Sequence, residues 1–201
     1  MNNELVCLNT TKASHRLILL HGWGADAEDL IPLGQEIAKY FLEKLEVIAL
    51  RAPDIHPQGF GREWYPLYPP DWQQANFAVE SLKVRLQAIP TKNLPLEKTV
   101  LLGFSQGGAM ALAAGCSLPF AGLIGCSAYS HPEWLIPEQS PPVYLTHGKN
   151  DSVVPIEAMG QIIDIAKDKG LNLKQDIFNG GHQIPEDLIP NIVEIMKNWL
   201  I

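Results

Sequence analysis

The sequence predicts an α/β fold: about seven short strands, most of them parallel, in one sheet flanked by helices. Three observations predict it. Short apolar runs alternate with longer amphipathic ones along the chain, the pattern of strands joined by crossover helices. Several of these runs are rich in Val, Leu and Ile without in/out alternation, as strands covered on both faces must be. One of them also ends in a serine set among glycines, which opens an alanine-rich stretch, "LLGFSQGGAMALAAG" (101–115).

The expected strands are, in order, 4–9, 16–21, 45–50, 98–104, 122–128, 142–148 and 173–179. Between them lie the expected helices. Residues 26–44 place Leu30, Leu33, Ile37 and Phe41 at helical spacing, with Pro32 acceptable only in the first turns. Residues 71–89 open on Asp71 as a cap and stop before Pro90. Residues 105–116, 155–170 and 185–201 complete the set. The stretch 51–71, "RAPDIHPQGFGREWYPLYPPD", is too stiff with proline for a linker and too irregular for a core element. It reads as an ordered loop, either a binding loop or a structural cover.

Composition narrows the function classes. The 201 residues carry 15 Lys+Arg against 22 Asp+Glu, a net charge of −7, with no basic run to offset it. Such a surface repels nucleic-acid phosphates and anionic lipid headgroups, so nucleic acid is not an expected partner. No apolar run is long enough to span a bilayer, so stable membrane insertion is not expected either. Cys7, Cys116 and Cys126 lack CxxC spacing, and the latter two read as small hydrophobes. With no basic n-region ahead of an apolar stretch, the N-terminus does not read as a signal peptide, and a cytoplasmic location is the expectation.

Gly103-Phe104-Ser105-Gln106-Gly107 matches G-x-S-x-G, in which a strand turns abruptly into a helix and presents its serine in a strained conformation. Glycines two before and two after the serine prevent a collision there. A tight packing turn is the competing reading; G-x-G-x-x-G and P-loop spacings are absent. A serine hydroxyl needs a base, and His182 in "FNGGHQIPED" follows the last expected strand on a flexible turn. The base needs a carboxylate to hold its tautomer. Asp151 in "YLTHGKNDSVVP" follows another strand, giving the chain order Ser105, Asp151, His182. Each follows a strand, so in a parallel sheet all three fall at the carboxyl edge. Two donors for an oxyanion complete the set: the backbone N–H of Gln106 at a helix start, and that of Trp23 between Gly22 and Gly24. His21 and His147 read as structural hydrogen-bonders.

The motifs "LHGWGAD", "RAP", "GREWY", "GFSQGGAMAL", "THGKND..VP" and "GGH" occur in the order seen in the phospholipase/carboxylesterase family of small α/β-hydrolases, which the chain resembles over nearly its whole length. The resemblance implies an α/β-hydrolase fold without a cap domain. It also implies Ser105 as nucleophile, His182 as base, Asp151 as its orienter, and the Trp23 and Gln106 amides as oxyanion donors. Trp23 stands where family members commonly carry Leu, and Trp64-Tyr65 precede Pro66 where members commonly have Phe-Asp or Tyr-Asp. Both departures touch the acyl pocket.

The expected function is therefore that of a serine hydrolase cleaving carboxylic esters of short to medium acyl chains, as a single domain over 1–201 needing no cofactor and no metal. The groove should be bordered by Trp23 and the Phe60–Tyr68 stretch, with Phe60, Trp64 and Tyr65 as substrate contacts and Trp134 as a further candidate. Alternatives are acyl-protein thioesterase or lysophospholipase activity and, outside enzymes, a catalytically silent binding module. An exposed apolar rim is compatible with a homodimer.

Overall fold

The computed structural model describes residues 12–42, 44–89 and 94–200, together with the backbone of 5–8. Seven of its strands form one sheet: β1 (Leu5–Leu8), β2 (His15–Leu20), β3 (Leu45–Leu50), β6 (Thr99–Phe104), β7 (Gly122–Cys126), β8 (Val143–Gly148) and β9 (Leu173–Phe178). Their order is β1-β3-β2-β6-β7-β8-β9, with β1 antiparallel to β3 and every other pairing parallel. All seven coincide with expected runs; the ends of the first, Glu4 and Asn9, lie outside the described residues. Two shorter strands, β4 (Asp54–Ile55) and β5 (Arg62–Glu63), pair as a hairpin inside the irregular 51–71 stretch, which the sequence pattern does not predict.

The central strands lack alternation because both faces are covered. Ile18 and Leu20 of β2 pack with residues of α2 (Trp72–Ala88), α3 (Gln106–Gly115) and α4 (Glu157–Asp168), whereas Leu17 and Leu19 pack with α1 (Ile31–Lys39) and α5 (Ile189–Leu200). Fully burying a Leu or Ile side chain is worth about 1.5–3 kcal/mol, so each strand is held from two sides. The edge strand β9 keeps polar residues exposed, Lys174 and Gln175 among them.

The 26–44 stretch is not one helix. Asp26 caps a short 3₁₀ turn, Ala27–Leu30, in a reciprocal capping box with Asp29, and α1 begins afresh at Ile31 with Pro32 in its first turn. Proline has no N–H to donate, so it marks a start and not a helix interior. Phe41 is still buried on the face the spacing assigned to it, although α1 has ended at Lys39. Helix α2 opens as expected on Asp71, whose carboxylate accepts the Gln74 N–H at 2.9 Å. Among the described residues no domain-sized insertion covers the carboxyl edge of the sheet, where the segments after β2, β6, β8 and β9 emerge together.

Candidate active site

Ser105 joins β6 to α3 with φ 55° and ψ −121°, in the left-handed half of conformational space that costs a non-glycine residue roughly 1–3 kcal/mol. Its N–H donates to the Cys126 carbonyl at 2.8 Å, and its own carbonyl accepts the Ala109 N–H at 3.0 Å. A Cβ on Gly103 would lie 2.0 Å from the Gly107 carbonyl oxygen, the collision that the motif anticipates. Gly107 has a different reason. Its Cβ would lie 2.2 Å from the Leu20 carbonyl oxygen and 2.4 Å from that of His21, so the helix start is pressed against the end of β2.

The loops after β8 and β9 also touch through backbone. The Asn150 N–H donates to the Gly180 carbonyl at 2.9 Å, and a Cβ on Gly148 would lie 2.2 Å from the Gly181 oxygen. This contact brings His182 Nδ1 to 2.8 Å from Asp151 Oδ2. Asp151 Oδ1 accepts the N–H groups of Val153 at 3.0 Å and Val154 at 2.9 Å. Burial pushes the Asp151 carboxyl up, but the His182 and amide hydrogen bonds outweigh it and hold the group below its ordinary value. An ionised Asp151 selects the Nδ1–H tautomer of His182 and leaves Nε2 as the basic nitrogen. His147 completes the floor: its Nε2–H donates to the Val154 carbonyl at 2.8 Å and lies 3.6 Å from Asp151 Oδ2.

On the opposite side, the loop after β2 passes directly over the serine; a Cβ on Gly22 would lie 3.3 Å from Ser105 Cβ. The Trp23 indole N–H donates to Glu63 Oε2 at 2.7 Å. Gln106, the first residue of α3, has one of the N–H groups that a helix start leaves without an internal partner. Its buried side chain reaches away, accepting the Trp64 N–H at 3.0 Å and donating to the Tyr65 carbonyl at 2.8 Å. His21 has both ring nitrogens engaged: Nδ1–H donates to the Gly22 carbonyl at 2.8 Å, and Nε2 accepts the Ala52 N–H at 3.0 Å. Burial lowers its pKa, against a smaller opposing pull from the Gly22 carbonyl.

Ser105 and His182 open onto one cavity of about 410 Å³. Its walls are apolar, formed by Leu67, Trp72, Phe104, Val153, Val154 and Pro155, with Trp23 and Tyr68 at one side. Such a chamber suits an acyl chain.

A model of the phospholipase/carboxylesterase family matches residues 1–200. The chain belongs to this family. Acyl-protein thioesterase 1 of Candida albicans is 25% identical over 217 residues, covering 94% of each chain. Acyl-protein thioesterase 1 of Gibberella zeae is 34% identical over 104 residues, which span 46% of this chain and only 44% of that relative. The crystal structure of esterase PE8 superposes with a TM-score of 0.88 at 30% identity, over 98% of this chain and 100% of that one.

Within this family frame the aromatic expectations need correction. Of the four expected substrate contacts, Trp23 lines the cavity and the other three do not. Trp64 is buried, with its indole N–H on the His21 carbonyl at 2.9 Å. Tyr65 is buried too, its hydroxyl 2.6 Å from that of Tyr129 and 3.0 Å from His131 Nε2. Phe60 sits outside on the surface against His56. Trp134 packs in the core and donates to the Leu112 carbonyl at 3.3 Å. The residues that do form the wall include Tyr129, Trp72 and the Val153–Pro155 run. The run after Asp151 was findable from its position; Tyr129 carries no local signal. Among the described residues no cluster of His, Cys, Asp and Glu could hold a metal ion, and no helix is long and apolar enough to cross a membrane.

Proposed function

We propose that this chain, as one domain over residues 1–201, is a serine hydrolase that cleaves carboxylic esters of short to medium acyl chains through an acyl-enzyme. The observation that carries the reading is the His182–Asp151 pair at 2.8 Å, opening with the strained Ser105 onto one apolar cavity. Ser105 Oγ attacks the substrate carbonyl carbon while His182 Nε2 takes the hydroxyl proton, and Asp151 stabilises the imidazolium so formed. The carbonyl oxygen becomes an oxyanion facing the Trp23 and Gln106 N–H groups, each donor typically worth roughly 3–4 kcal/mol of barrier. Collapse expels the alcohol, which receives the proton from His182. Water then repeats the sequence and releases the acid.

A thioester substrate is the second reading, favoured by the full-length match to a relative named acyl-protein thioesterase 1. Lysophospholipid hydrolysis uses the same geometry with a longer acyl chain. The assembled acid–base pair argues against a catalytically silent binding module. The buried free thiols of Cys116 and Cys126 fit a reducing, cytoplasmic setting.

The test is turnover of p-nitrophenyl esters from acetate to decanoate, alongside an acyl-thioester and a lysophospholipid, with Ser105→Ala as control. Turnover is expected to vanish in the variant, and a fluorophosphonate probe is expected to label Ser105 in the wild type. Undiminished turnover in Ser105→Ala, or labelling elsewhere, overturns the nucleophile assignment.

A further inference from the structure

Trp23 is flanked by Gly22 and Gly24, the latter at φ 77°. Glycines on both sides widen the conformations open to the backbone here, so contacts must aim the Trp23 N–H. The Gly22 carbonyl of the same peptide plane accepts the His21 Nδ1–H at 2.8 Å and the Ala25 N–H at 3.3 Å, and the Trp23 side chain is a second hold. Its indole N–H is held by Glu63 Oε2 at 2.7 Å, and its ring lies against His56 and Tyr68 with centroids 4.0 and 5.1 Å away. Glu63 is only 5% exposed, and burying a carboxylate is costly unless the group is hydrogen-bonded.

The same short segment reaches both halves of the oxyanion site. The Gly24 N–H donates to the Arg62 carbonyl at 2.8 Å, and the Arg62 N–H donates back to the Ala25 carbonyl at 2.8 Å. A Cβ on Gly61 would lie 2.0 Å from the Gly24 carbonyl oxygen, so the hairpin is seated on the Trp23 loop. The next residues, Trp64 and Tyr65, hold the side chain of Gln106 through the two hydrogen bonds described above. Residues 62–65 thus tie the Trp23 loop to the start of α3.

We infer that Glu63 is a positioning residue: through the Trp23 indole it aims the Trp23 backbone N–H, while residues 62–65 fix the distance between that donor and the Gln106 N–H. This rests on the proposed role of the two amides. Preorganised donors matter because they are set before charge develops, and a small misplacement removes much of their effect.

The experiment compares Glu63→Ala, Glu63→Gln, Trp23→Phe and the Glu63→Ala/Trp23→Phe double variant on p-nitrophenyl butyrate. Glu63→Ala is expected to lower kcat roughly 10–100-fold, less than outright loss of an oxyanion donor, with KM within about threefold. Binding of an alkylboronic acid, whose adduct with the serine is tetrahedral, should weaken in proportion, and binding of the carboxylate product should not. Glu63→Gln retains an acceptor for the indole N–H and should recover most of the loss. Trp23→Phe should match Glu63→Ala, and the double variant should be no worse than either single one.

A kcat for Glu63→Ala within about twofold of wild type, unchanged boronate affinity, or additive losses in the double variant overturns the inference. If Glu63→Ala does not fold, Trp23→Phe decides it on the same kcat and boronate readouts. Full turnover in Ser105→Ala would instead overturn the nucleophile assignment on which the role of the two amides rests, whatever the Glu63 variants do.

Discussion

The elbow around Ser105 and the stretch from Arg51 to Asp71 meet at one cavity but hold their places by different forces. At the elbow, backbone presses on backbone: hypothetical side chains on Gly103 and Gly107 would lie 2.0 and 2.2 Å from carbonyl oxygens, and Leu101 and Leu102 beneath are wholly buried. The 51–71 stretch meets the Trp23 loop through backbone at Gly61 and Arg62, but side chains supply most of its other ties. Arg62 donates to the Ala52 and Pro53 carbonyls, Arg51 pairs with Asp26 and Glu28, Glu63 takes the Trp23 indole, and Gln106 reaches across to Trp64 and Tyr65. Each such bond contributes a net 0.5–3 kcal/mol or so, the charged ones most. Damage to the elbow should therefore be close to all-or-none, and damage to the loop graded.

The sharpest break is Asp151→Asn, which keeps the shape but loses the tautomer control. We expect kcat to fall about 10³–10⁴-fold in steady-state ester assays. The same carboxyl is held below its ordinary value, so its stabilising charge is complete above about pH 4 and is lost as pH falls through the lowered native value. The stability gap between wild type and Asp151→Asn should narrow accordingly in acid urea titrations.

Next comes Gly103→Ala, where a methyl meets a carbonyl that cannot move. A loss of about 4 kcal/mol or more is expected in urea unfolding, or no folded protein at all. His131, buried beside Tyr65, probes the other side. Burial pushes its pKa down to about 4. Between about pH 6.5 and the lowered native value the unfolded chain binds a proton that the native ring refuses, so stability falls as pH falls, by up to roughly 3 kcal/mol from this group. His131→Gln should flatten that part of the stability–pH curve.

The smallest effects separate two exposed aromatics. Tyr68 borders the cavity and Phe60 does not, so Tyr68→Ala should raise KM for the octanoate ester about threefold through lost apolar contact, while Phe60→Ala leaves it within about twofold. Equal effects would erase the distinction between a cavity wall and an outer surface.

Much of this was legible in the order of residues, and particular cases show why. Strand positions follow from apolar runs whose partners are covered on both faces, and the elbow follows from glycines whose need is local and steric. The sequence also names Asp151 and His182 by their places after strands; tertiary structure then brings them to 2.8 Å by laying Gly148 against Gly181. Pro32 warned of a helix start, but only the fold shows a 3₁₀ turn ahead of it.

What the chain could not announce by itself is which way its aromatics face. Trp64 and Tyr65 lie next to Glu63 in a row that reads as a binding loop, yet their partners are His21, Gln106, Tyr129 and His131, as many as 66 positions away. Periodicity and backbone sterics act over a few residues and are written locally. Burial and hydrogen-bond pairing depend on distant groups meeting, and only the folded chain decides them.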